Sequence, residues 1–461
     1  MQGDYKVNIF SKLFKVSYLS TIRLIVLFYI IAVIFSMVLL SIPFFHNEGV
    51  DLSFIDILFT SVSAISVTGL TVVSTADTFN AAGSIALSVV LQFGGIGIMT
   101  LGTFIWIILG KKIGLRGRQL IQIDQNRATL GGLVQLLLKI LKIILLIELC
   151  GTIILSTYFL SYFDTWQEAL LQGFFAAVSA TTNAGFDITG SSLVLFANDY
   201  FVQFINIILL TLGAIGFPVL IELQDYLRGD YREGNPKHSF SLFTKLTTLT
   251  FFALILVGWI LILILEHNAA FFADKAWHEK MFYSLFQSVT TRNGGLATMD
   301  ISEFTSPTLV MMCVLMFIGA SPSSVGGGIR TTTFAIMLLA IYNYAKGRTS
   351  IKVFGRELVD EDVIRSFIVI TTAGMVCIIS IIVLHYIEPF PLLPVVFEVS
   401  SAFGTTGLSM GITPELSTAG KCVIIFLMFV GRIGIFSFLF LIRGKATTDK
   451  YHYPKEKVII G

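Results

Sequence analysis

The stretch that decides the fold is Ser401-Ala-Phe-Gly-Thr-Thr-Gly407-Leu408, a run of small and hydroxylated residues that ends in a glycine and an apolar residue. Three related phrases precede it along the chain. They are Ser63-Ala-Ile-Ser-Val-Thr-Gly69-Leu70, Ser179-Ala-Thr-Thr-Asn-Ala-Gly185-Phe186 and Val289-Thr-Thr-Arg-Asn-Gly-Gly295-Leu296. Their closing glycines follow one another at intervals of 116, 110 and 112 residues. A nearly constant period of this length indicates four copies of one structural unit.

The composition is typical of a membrane protein. Of the 461 residues, 55% are apolar and 13% are charged, whereas soluble domains carry about 25% charged residues. The formal net charge of +2 gives no reason to expect a nucleic-acid partner. The bilayer itself is therefore the expected surrounding of this chain.

Eight apolar runs are long enough to cross a bilayer, which takes roughly 20 helical residues. They lie near 24–43, 82–109, 133–160, 200–223, 241–265, 307–343, 366–387 and 417–442. Within each successive pair lies a shorter run, at 53–66, 165–182, 279–291 and 393–404. About 12 residues of helix cover only about 18 Å, so such a half-helix enters the bilayer and returns. The sequence predicts an all-α integral membrane fold of four helix–pore-helix–helix repeats, with eight spans and four re-entrant half-helices around one pore per protomer.

The predicted organisation follows from these runs. It comprises a cytoplasmic N-terminal segment 1–22, repeats at 23–110, 133–224, 240–345 and 365–443, cytoplasmic linkers at 111–132, 225–239 and 346–364, and a C-terminal tail 444–461. The linkers and the tail are rich in Lys and Arg, whereas the segments that hold the half-helices carry few. Because basic loops stay cytoplasmic, we expect a multi-pass protein with both termini inside the cell and all half-helices entering from outside.

The four phrases have the chemistry of a cation site. A cation that loses its water needs oxygen ligands, which rings of backbone carbonyls supply, and glycine lets the backbone turn without a Cβ clash. The C-terminal ends of the half-helices add partial negative charge. The candidate filter residues are Val67, Thr68, Gly69, Asn183, Ala184, Gly185, Asn293, Gly294, Gly295, Thr405, Thr406 and Gly407. Carboxylates of the outer segments, Glu398 among them, are expected to concentrate cations at the mouth.

The sixth span is interrupted at 319–331 by a segment that cannot hold a regular helix. Proline removes a backbone donor, and three consecutive glycines have poor helix propensity. The candidate gate residues here are Gly319, Ser321, Pro322, Gly326, Gly327, Gly328 and Arg330. Arg432 joins them because a charge in the middle of the last span costs about 2.5–3.5 kcal/mol and must find partners. The carbonyl groups of the loop are its expected partners.

These phrases resemble the superfamily of Trk, Ktr and HKT potassium transporters, and most closely its bacterial KtrB-type membrane subunit. Gly110-Lys-Lys-Ile-Gly-Leu115 and Gly431-Arg432-Ile-Gly434 fit as well, and the resemblance covers nearly the whole chain. It implies K⁺ as the permeant ion, no covalently bound cofactor, and in many members activation by Na⁺. It also implies a homodimer with one pore per protomer, a cytosolic ring of nucleotide-binding regulatory subunits similar to KtrA or KtrC, and a place in the bacterial inner membrane. The broken sixth span resembles the loop that blocks the pore below the filter.

Within this resemblance, the first phrase bears on ion choice and the third departs from the family pattern. In the plant relatives, serine at the first filter position goes with Na⁺ selectivity, so Gly69 favours K⁺. In the third phrase Gly294 and Leu296 stand where the family commonly has Ala and Phe, and the additional glycine is expected to loosen that quarter of the filter. Arg292, beside it, is expected to brace the filter or to tune its electrostatic field.

Two other functions remain alternatives. A Na⁺- or H⁺-coupled cation symporter would carry carboxylates inside the membrane as proton relays, and we expect none deep in these spans. A membrane enzyme would need a nucleophile, metal or phosphate motif. Gly407-Leu-Ser-Met-Gly411 matches a hydrolase elbow in letters, but it follows a half-helix rather than a strand. The expectation is therefore a K⁺-conducting subunit and not an enzyme.

Overall fold

The computed structural model describes residues 21–97, 133–229, 240–348 and 350–442, together with positions 454, 456 and 459. The linker 111–132, the phrase at 110–115, and most of the linker 225–239 and of the C-terminal tail lie outside these ranges.

Fifteen helices are labelled here in chain order. In the first half of the chain they are α1 (Thr21–Leu40), α2 (Phe54–Ser66), α3 (Ala81–Ile96), α4 (Leu133–Phe159), α5 (Trp166–Thr181), α6 (Tyr200–Ala214) and α7 (Phe217–Arg228). In the second half they are α8 (Leu242–Leu265), α9 (Trp277–Thr290), α10 (Ser306–Phe317), α11 (Thr331–Ala345), α12 (Asp360–Ile387), α13 (Leu392–Gly404), α14 (Thr418–Ile433) and α15 (Ile435–Ile442). The four short helices α2, α5, α9 and α13 lie where the half-helices are predicted.

Several helices have the length and composition of membrane spans. Three single helices among the described residues qualify, within α1, α8 and α12, and five qualify if each of two sharply bent pairs is counted as one span. Their outward-facing side chains are largely Ile, Leu, Val and Phe. Apolar side chains that face outward along such helices are suited to contact with lipid.

The fourth and eighth predicted spans are not continuous helices. The α6–α7 pair bends by 103° and the α14–α15 pair by 105°, whereas the sequence predicts one helix over each of 200–223 and 417–442. Gly216, with φ +104°, lies at the first bend, and Gly434, with φ +81°, lies at the second. Residues that carry a Cβ rarely adopt such backbone angles, so glycine makes these bends possible. The apolar character of a run predicts a membrane helix, but it does not predict the backbone φ of a single glycine within that run.

The linker predicted at 346–364 contains a small hairpin. Its strands are β1 (Lys352–Val353) and β2 (Arg356–Glu357), paired antiparallel with Lys352 opposite Glu357. Phe354 and Gly355 form the turn, both at positive φ, as the common two-residue hairpin turn requires. The all-α prediction missed this element, and α12 also begins at Asp360, earlier than the predicted start of its span.

The helices pack in a cyclic order. The helix that follows each short helix also packs against the short helix of the next repeat: α3 against α5, α6 against α9, α10 against α13, and α14 against α2. Small residues allow these approaches. A methyl group placed on Gly95 of α3, for example, would lie 2.7 Å from Cβ of Thr182, at the end of α5. The C-terminal ends of all four short helices thereby come together near the centre of the molecule.

Candidate cation-binding site and intramembrane loop

Each of the four phrases leaves its short helix through a residue with left-handed backbone. These residues are Val67 (φ 58°), Asn183 (φ 55°), Asn293 (φ 70°) and Thr405 (φ 52°). Two residues later each phrase has a glycine that also has positive φ, from 68° at Gly185 to 94° at Gly407. Non-glycine residues adopt this conformation at a cost and usually at functional sites. The same unusual backbone therefore recurs in all four predicted filter phrases.

The four closing glycines form a ring. A methyl group placed on any one of them would collide with, or press on, the carbonyl group that precedes the next glycine in cyclic order. A methyl on Gly69 would lie 2.5 Å from the oxygen of Ala184, and one on Gly185 would lie 3.3 Å from that of Gly294. A methyl on Gly295 would lie 2.5 Å from the oxygen of Thr406, and one on Gly407 would lie closer still to that of Thr68. The ring closes because the fourth glycine faces the first phrase. Only glycine allows four backbones to approach this closely.

Hydroxyl groups on the short helices hold the phrases in place, a role that was not predicted from the sequence. The backbone N–H of Gly69 donates to Ser63 Oγ at 3.2 Å, and that of Gly407 donates to Ser401 Oγ at 3.0 Å. In the second and third phrases the hydroxyls of Ser179 and Thr290 donate to the carbonyl after the glycine, at 2.6 Å each. The recurrence of Ser or Thr five or six residues before each glycine was the available signal.

An asparagine side chain links neighbouring phrases. Asn293 Nδ2 lies 2.7 Å from the carbonyl oxygens of Gly404 and Thr405 and from Thr405 Oγ1. Asn183 Nδ2 makes a longer contact, 3.5 Å, with the carbonyl oxygen of Arg292. Donors that engage carbonyl oxygens in this way fix the direction in which those carbonyls point.

The third phrase is tightly packed, contrary to the expectation from its second glycine. A methyl group on Gly294 would lie 2.6 Å from Thr290 Oγ1 and 2.8 Å from Thr290 Cα, so alanine would not fit without a shift. The N–H of Gly294 also donates to the carbonyl of Thr290 at 2.7 Å. The additional glycine therefore permits close packing here and does not loosen this part of the ring.

Arg292 is fully buried and braces the break in the sixth span. Its guanidinium donates to the carbonyl oxygens of Ile318, at 2.5 Å, and of Leu315, at the C-terminal end of α10. Cations favour helix C-termini because the macrodipole is negative there. Among the described residues no carboxylate pairs with Arg292. This side chain thus joins the third phrase to the start of the loop.

We predict that Arg292→Ala destabilises the protein, because it leaves two buried carbonyls without donors, at about 1–3 kcal/mol each. Thermal unfolding of the detergent-solubilised protein measures the effect. Arg365→Ala is the control, since Arg365 makes an exposed ion pair with Glu361 that is worth at most about 0.5 kcal/mol. Equal melting temperatures for the two variants would contradict the bracing role.

The segment between α10 and α11 is a buried loop fastened to two other repeats. On the side of repeat 2, Ser321 N donates to the carbonyl of Ala214 at 3.1 Å, Val325 N donates to Gly213, and Phe217 N donates to Ser323. On the side of repeat 4, Gly328 N donates to the carbonyl of Gly431 at 3.3 Å. The loop therefore lies between α6–α7 and α14.

The loop also contacts the ring. Gly327 N donates to Thr405 Oγ1 at 2.8 Å, and Asn293 contacts the same hydroxyl. A methyl group on Gly326 would meet the side-chain amide of Asn293 at 2.5 Å. The loop thus lies directly under the third and fourth phrases, on the side of the left-handed residues rather than of the closing glycines.

Two arginines hold the loop through its carbonyl groups. Arg432 donates to the carbonyl of Val325 in the loop and to that of Gly94 at the end of α3. Arg330 donates to the carbonyl of Gly326. The predicted contact between Arg432 and loop carbonyls is present, and Gly94 is a partner that the sequence did not indicate.

Two acidic residues differ from expectation. Glu398 is fully buried and accepts hydrogen bonds from Ser409, at 2.8 Å, and from Thr413, so it cannot attract ions at the mouth as expected. Glu148 lies near the middle of α4, 5% exposed, with its carboxylate 2.5 Å from the Gln92 amide. The expectation that no carboxylate lies deep in a span was therefore wrong.

The chain is similar to known cation transport proteins over nearly its whole length. Residues 24–452 match the family described as TrkH: Cation transport protein. The chain is 57% identical to the Ktr system potassium uptake protein D of Bacillus subtilis, over 96% of this chain and 98% of the relative. It is 36% identical to Ktr system potassium uptake protein B of the same organism, over 94% and 95% of the two chains.

A relative of lower identity and a solved structure are also similar to this chain. The chain is 33% identical to the potassium/sodium uptake protein NtpJ of Enterococcus hirae, over 96% of this chain and 98% of the relative. Its fold is similar to the crystal structure of the potassium transporter TrkH from Vibrio parahaemolyticus, with a TM-score of 0.68 at 21% identity, covering 90% and 84% of the two chains. These relatives are membrane ion transporters and not enzymes. The chain belongs to the TrkH family of cation transport proteins.

Proposed function

We propose that this chain is the K⁺-conducting membrane subunit of a potassium uptake system. The observation that carries the proposal is the closed ring, in which each closing glycine lies against the carbonyl that precedes the next. Close relatives bear the names of potassium uptake proteins, which favours the same ion here. The ring residues Val67 to Gly69, Asn183 to Gly185, Asn293 to Gly295 and Thr405 to Gly407 form the selectivity filter of this proposal.

In this function the backbone carbonyls of the filter replace the hydration shell of K⁺. The partial negative charge at the ends of α2, α5, α9 and α13 favours a cation at the centre. Hydroxyl and amide donors around the ring hold the carbonyl groups in place. These fixed donors limit how far the carbonyl groups must reorient when an ion enters.

The loop between α10 and α11 is the gate in this proposal. Its residues Gly319, Ser321, Pro322, Gly326, Gly327 and Gly328, with Arg330 and Arg432, close the path beneath the filter. The support is its position, since Gly327 contacts Thr405 while Arg432 ties Val325 to α3. Opening would require those bonds to break together.

In this proposal the chain crosses the membrane eight times, its four re-entrant half-helices enter from outside, and both termini lie in the cytoplasm of a bacterium. Three single helices and two bent pairs of spanning character support a multi-pass protein. The basic linkers support the orientation. Na⁺ acts as an activator in this proposal, by resemblance to the family.

Ion flux into liposomes tests the proposed function. The purified protein is reconstituted, and uptake of K⁺, Rb⁺ and Na⁺ is followed against protein-free vesicles. We expect K⁺ and Rb⁺ to enter faster than Na⁺, because the carbonyl ring is built for a large, weakly hydrated ion. Equal rates for Na⁺ and K⁺, or rates no higher than in empty vesicles, would refute it.

One observation favours a second function, a Na⁺- or H⁺-coupled cation symporter. Glu148 is a carboxylate buried within a span, and such groups serve as proton relays in coupled carriers. The two functions differ in their response to an ionophore that dissipates the proton gradient. A proton symporter uses an inward proton gradient to accumulate K⁺ against the K⁺ electrochemical gradient, and the ionophore abolishes that accumulation. A channel-like subunit passes K⁺ only down its electrochemical gradient, and the ionophore does not abolish this flux.

We predict that the protein is a homodimer that binds a cytosolic ring of nucleotide-binding subunits similar to KtrA or KtrC. The reason is the family resemblance, and the relatives are named as parts of a Ktr system. Light scattering during size-exclusion chromatography should give twice the mass of the chain. Addition of the regulatory subunits should shift the dimer to a larger complex. A monomer at every concentration tested would argue against this assembly.

A further inference from the structure

Glu148 and Gln92 form a buried polar pair between repeats 1 and 2. Glu148 is the sixteenth residue of the 27-residue helix α4, and Gln92 lies in the last turns of α3. Gln92 Nε2 donates to Glu148 Oε2 at 2.5 Å. This bond joins two residues that are 56 positions apart in sequence.

Each member of the pair has one further buried oxygen without a partner. Glu148 Oε1 and Gln92 Oε1 are both inaccessible to solvent and neither accepts a hydrogen bond from any described residue. Both atoms are acceptors when the carboxyl is ionised. Buried acceptors with no donor are unfavourable, and the acceptor on an ionised Glu148 would also belong to a charged group.

We propose that Glu148 binds a proton and that the neutral acid and the Gln92 amide form a pair with two hydrogen bonds. A proton on Glu148 Oε1 turns that atom into a donor, and Gln92 Oε1 is the buried acceptor on the partner group. One proton therefore satisfies both unpartnered atoms and removes the charge. The chain thus holds a proton-binding site inside the membrane that lies apart from the ring of glycines.

The surrounding charges do not favour an ionised Glu148. Helices α3 and α6 carry no charged residue, and α5 carries only Glu168, which is exposed in its first turn. On α4 itself Lys142 and Lys139 lie about 9 and 13.5 Å along the axis from Glu148, and Lys139 pairs with Asp225 at 3.1 Å. The other charged residues of α7 are Glu222 and Arg228. Arg432, on the α14 side of α3, donates to the carbonyl of Gly94.

Glu398 is an informative contrast within the same chain. It is also fully buried, but each of its two carboxyl oxygens accepts a hydrogen bond from a hydroxyl group, Ser409 Oγ to Oε2 and Thr413 Oγ1 to Oε1. Its surroundings therefore satisfy an ionised carboxylate, whereas those of Glu148 leave one oxygen unpartnered. Burial alone does not distinguish these two glutamates, and the donor arrangement does.

The proton in this site is structural and stays in place during transport. Its role is to join α3 to α4 just before Gly94, the residue whose carbonyl accepts a hydrogen bond from Arg432. The variant Glu148→Gln can reproduce the hydrogen bonds of the neutral pair, because the amide at position 148 offers Gln92 one donor and one acceptor. This gives a variant that keeps both hydrogen bonds but cannot carry a titrating proton.

Infrared difference spectroscopy of the full-length protein in lipid tests the protonation state. We expect Glu148→Gln to remove a carboxylic-acid C=O band that persists in the wild type from neutral to alkaline pH. Glu398→Gln is the matched buried control, and Glu168→Gln is the exposed one. Loss of a carboxylate band rather than an acid band in Glu148→Gln would overturn the proposal.

Stability and flux test the structural role. Glu148→Gln should melt at the wild-type temperature and retain wild-type K⁺ flux, whereas Glu148→Leu should melt several degrees lower because both polar atoms of the Gln92 amide lose their partners. Poor folding of Glu148→Gln would contradict the proposal, since the amide preserves both bonds. A folded Glu148→Gln protein without flux would also contradict it, and would indicate a titrating residue of a coupled carrier.

Discussion

Replacing Gly69 by serine is expected to shift the ion preference of this protein from K⁺ toward Na⁺. Gly69 has φ +91°, and a methyl group at this position would lie 2.5 Å from the carbonyl oxygen of Ala184. The serine side chain therefore displaces a carbonyl of the ring and places a hydroxyl beside it. A ring whose carbonyls no longer match K⁺ loses its selectivity. We expect the ratio of K⁺ to Na⁺ flux to fall by roughly tenfold, which corresponds to about 1.4 kcal/mol.

The measurement is the K⁺/Na⁺ permeability ratio in liposomes, with Gly411→Ser as the matched control. Gly411 lies just after the fourth phrase and has a similar backbone angle, φ +88°, but no atom lies within 4 Å of a methyl group placed there. Both variants therefore carry the same backbone strain, and only Gly69→Ser crowds the ring. An unchanged ratio in Gly69→Ser would remove Gly69 from the proposed filter.

Removing the contacts of the loop is expected to raise K⁺ flux and to weaken its dependence on the regulatory subunits. Arg432→Ala leaves the carbonyls of Val325 and Gly94 without this donor, so the closed position of the loop loses a charge-assisted anchor worth about 1.5–3 kcal/mol. A deletion of 320–327 removes most of the proposed gate. The expected rise in basal flux is on the order of tenfold or more, because each 1.4 kcal/mol is a factor of ten.

The loop is held more firmly than its glycines alone would indicate. It donates hydrogen bonds to Gly213, Ala214 and Gly431, and Gly327 also donates to Thr405. If the loop is the gate, as proposed, its opening involves movement of α6–α7 or α14 as well as the loop. A regulator acting through α11, which begins at Thr331, is placed to cause such a movement.

Arg432→Lys is the control for the gating prediction, because lysine keeps the charge but lacks the fork of donors that reaches two carbonyls at once. Its basal flux should lie between those of the wild type and Arg432→Ala. Flux and dimer content are measured on the same preparations. If Arg432→Ala and the deletion both stay folded and dimeric yet abolish transport, the loop is structural and the gating proposal fails.

Local sequence was enough to locate the short helices. The prediction rested on their apolar length, and the structure adds that Ser53 and Thr165 cap two of them, accepting from Asp56 N and Glu168 N within one helical turn. Each helix ends where small polar residues lead to a glycine. These signals involve neighbours in sequence, so they are legible without knowledge of the fold.

The backbone angles of single glycines, and hydrogen-bond partners that are distant in sequence, could not be predicted from local sequence. Gly216 and Gly434 lie within apolar runs, and hydropathy over about 20 residues does not register the φ of one residue. The run around Glu148 is strongly apolar, so hydropathy alone predicts a span there and does not indicate its buried carboxyl group. Its partner Gln92 is 56 residues away, and nothing in either local segment identifies the other.

The membrane class, the fourfold period and the positions of the four phrases could be predicted without a structure, because apolar length and glycine spacing are properties of the chain alone. The folded structure was needed to show which carbonyl each closing glycine faces. It was also needed to show that the loop lies between repeats 2 and 4. It also decided that Asn293 binds Thr405, 112 residues away. The physical reason is that such contacts form only when remote helices pack, so their partners are set by the arrangement of helices rather than by local pattern.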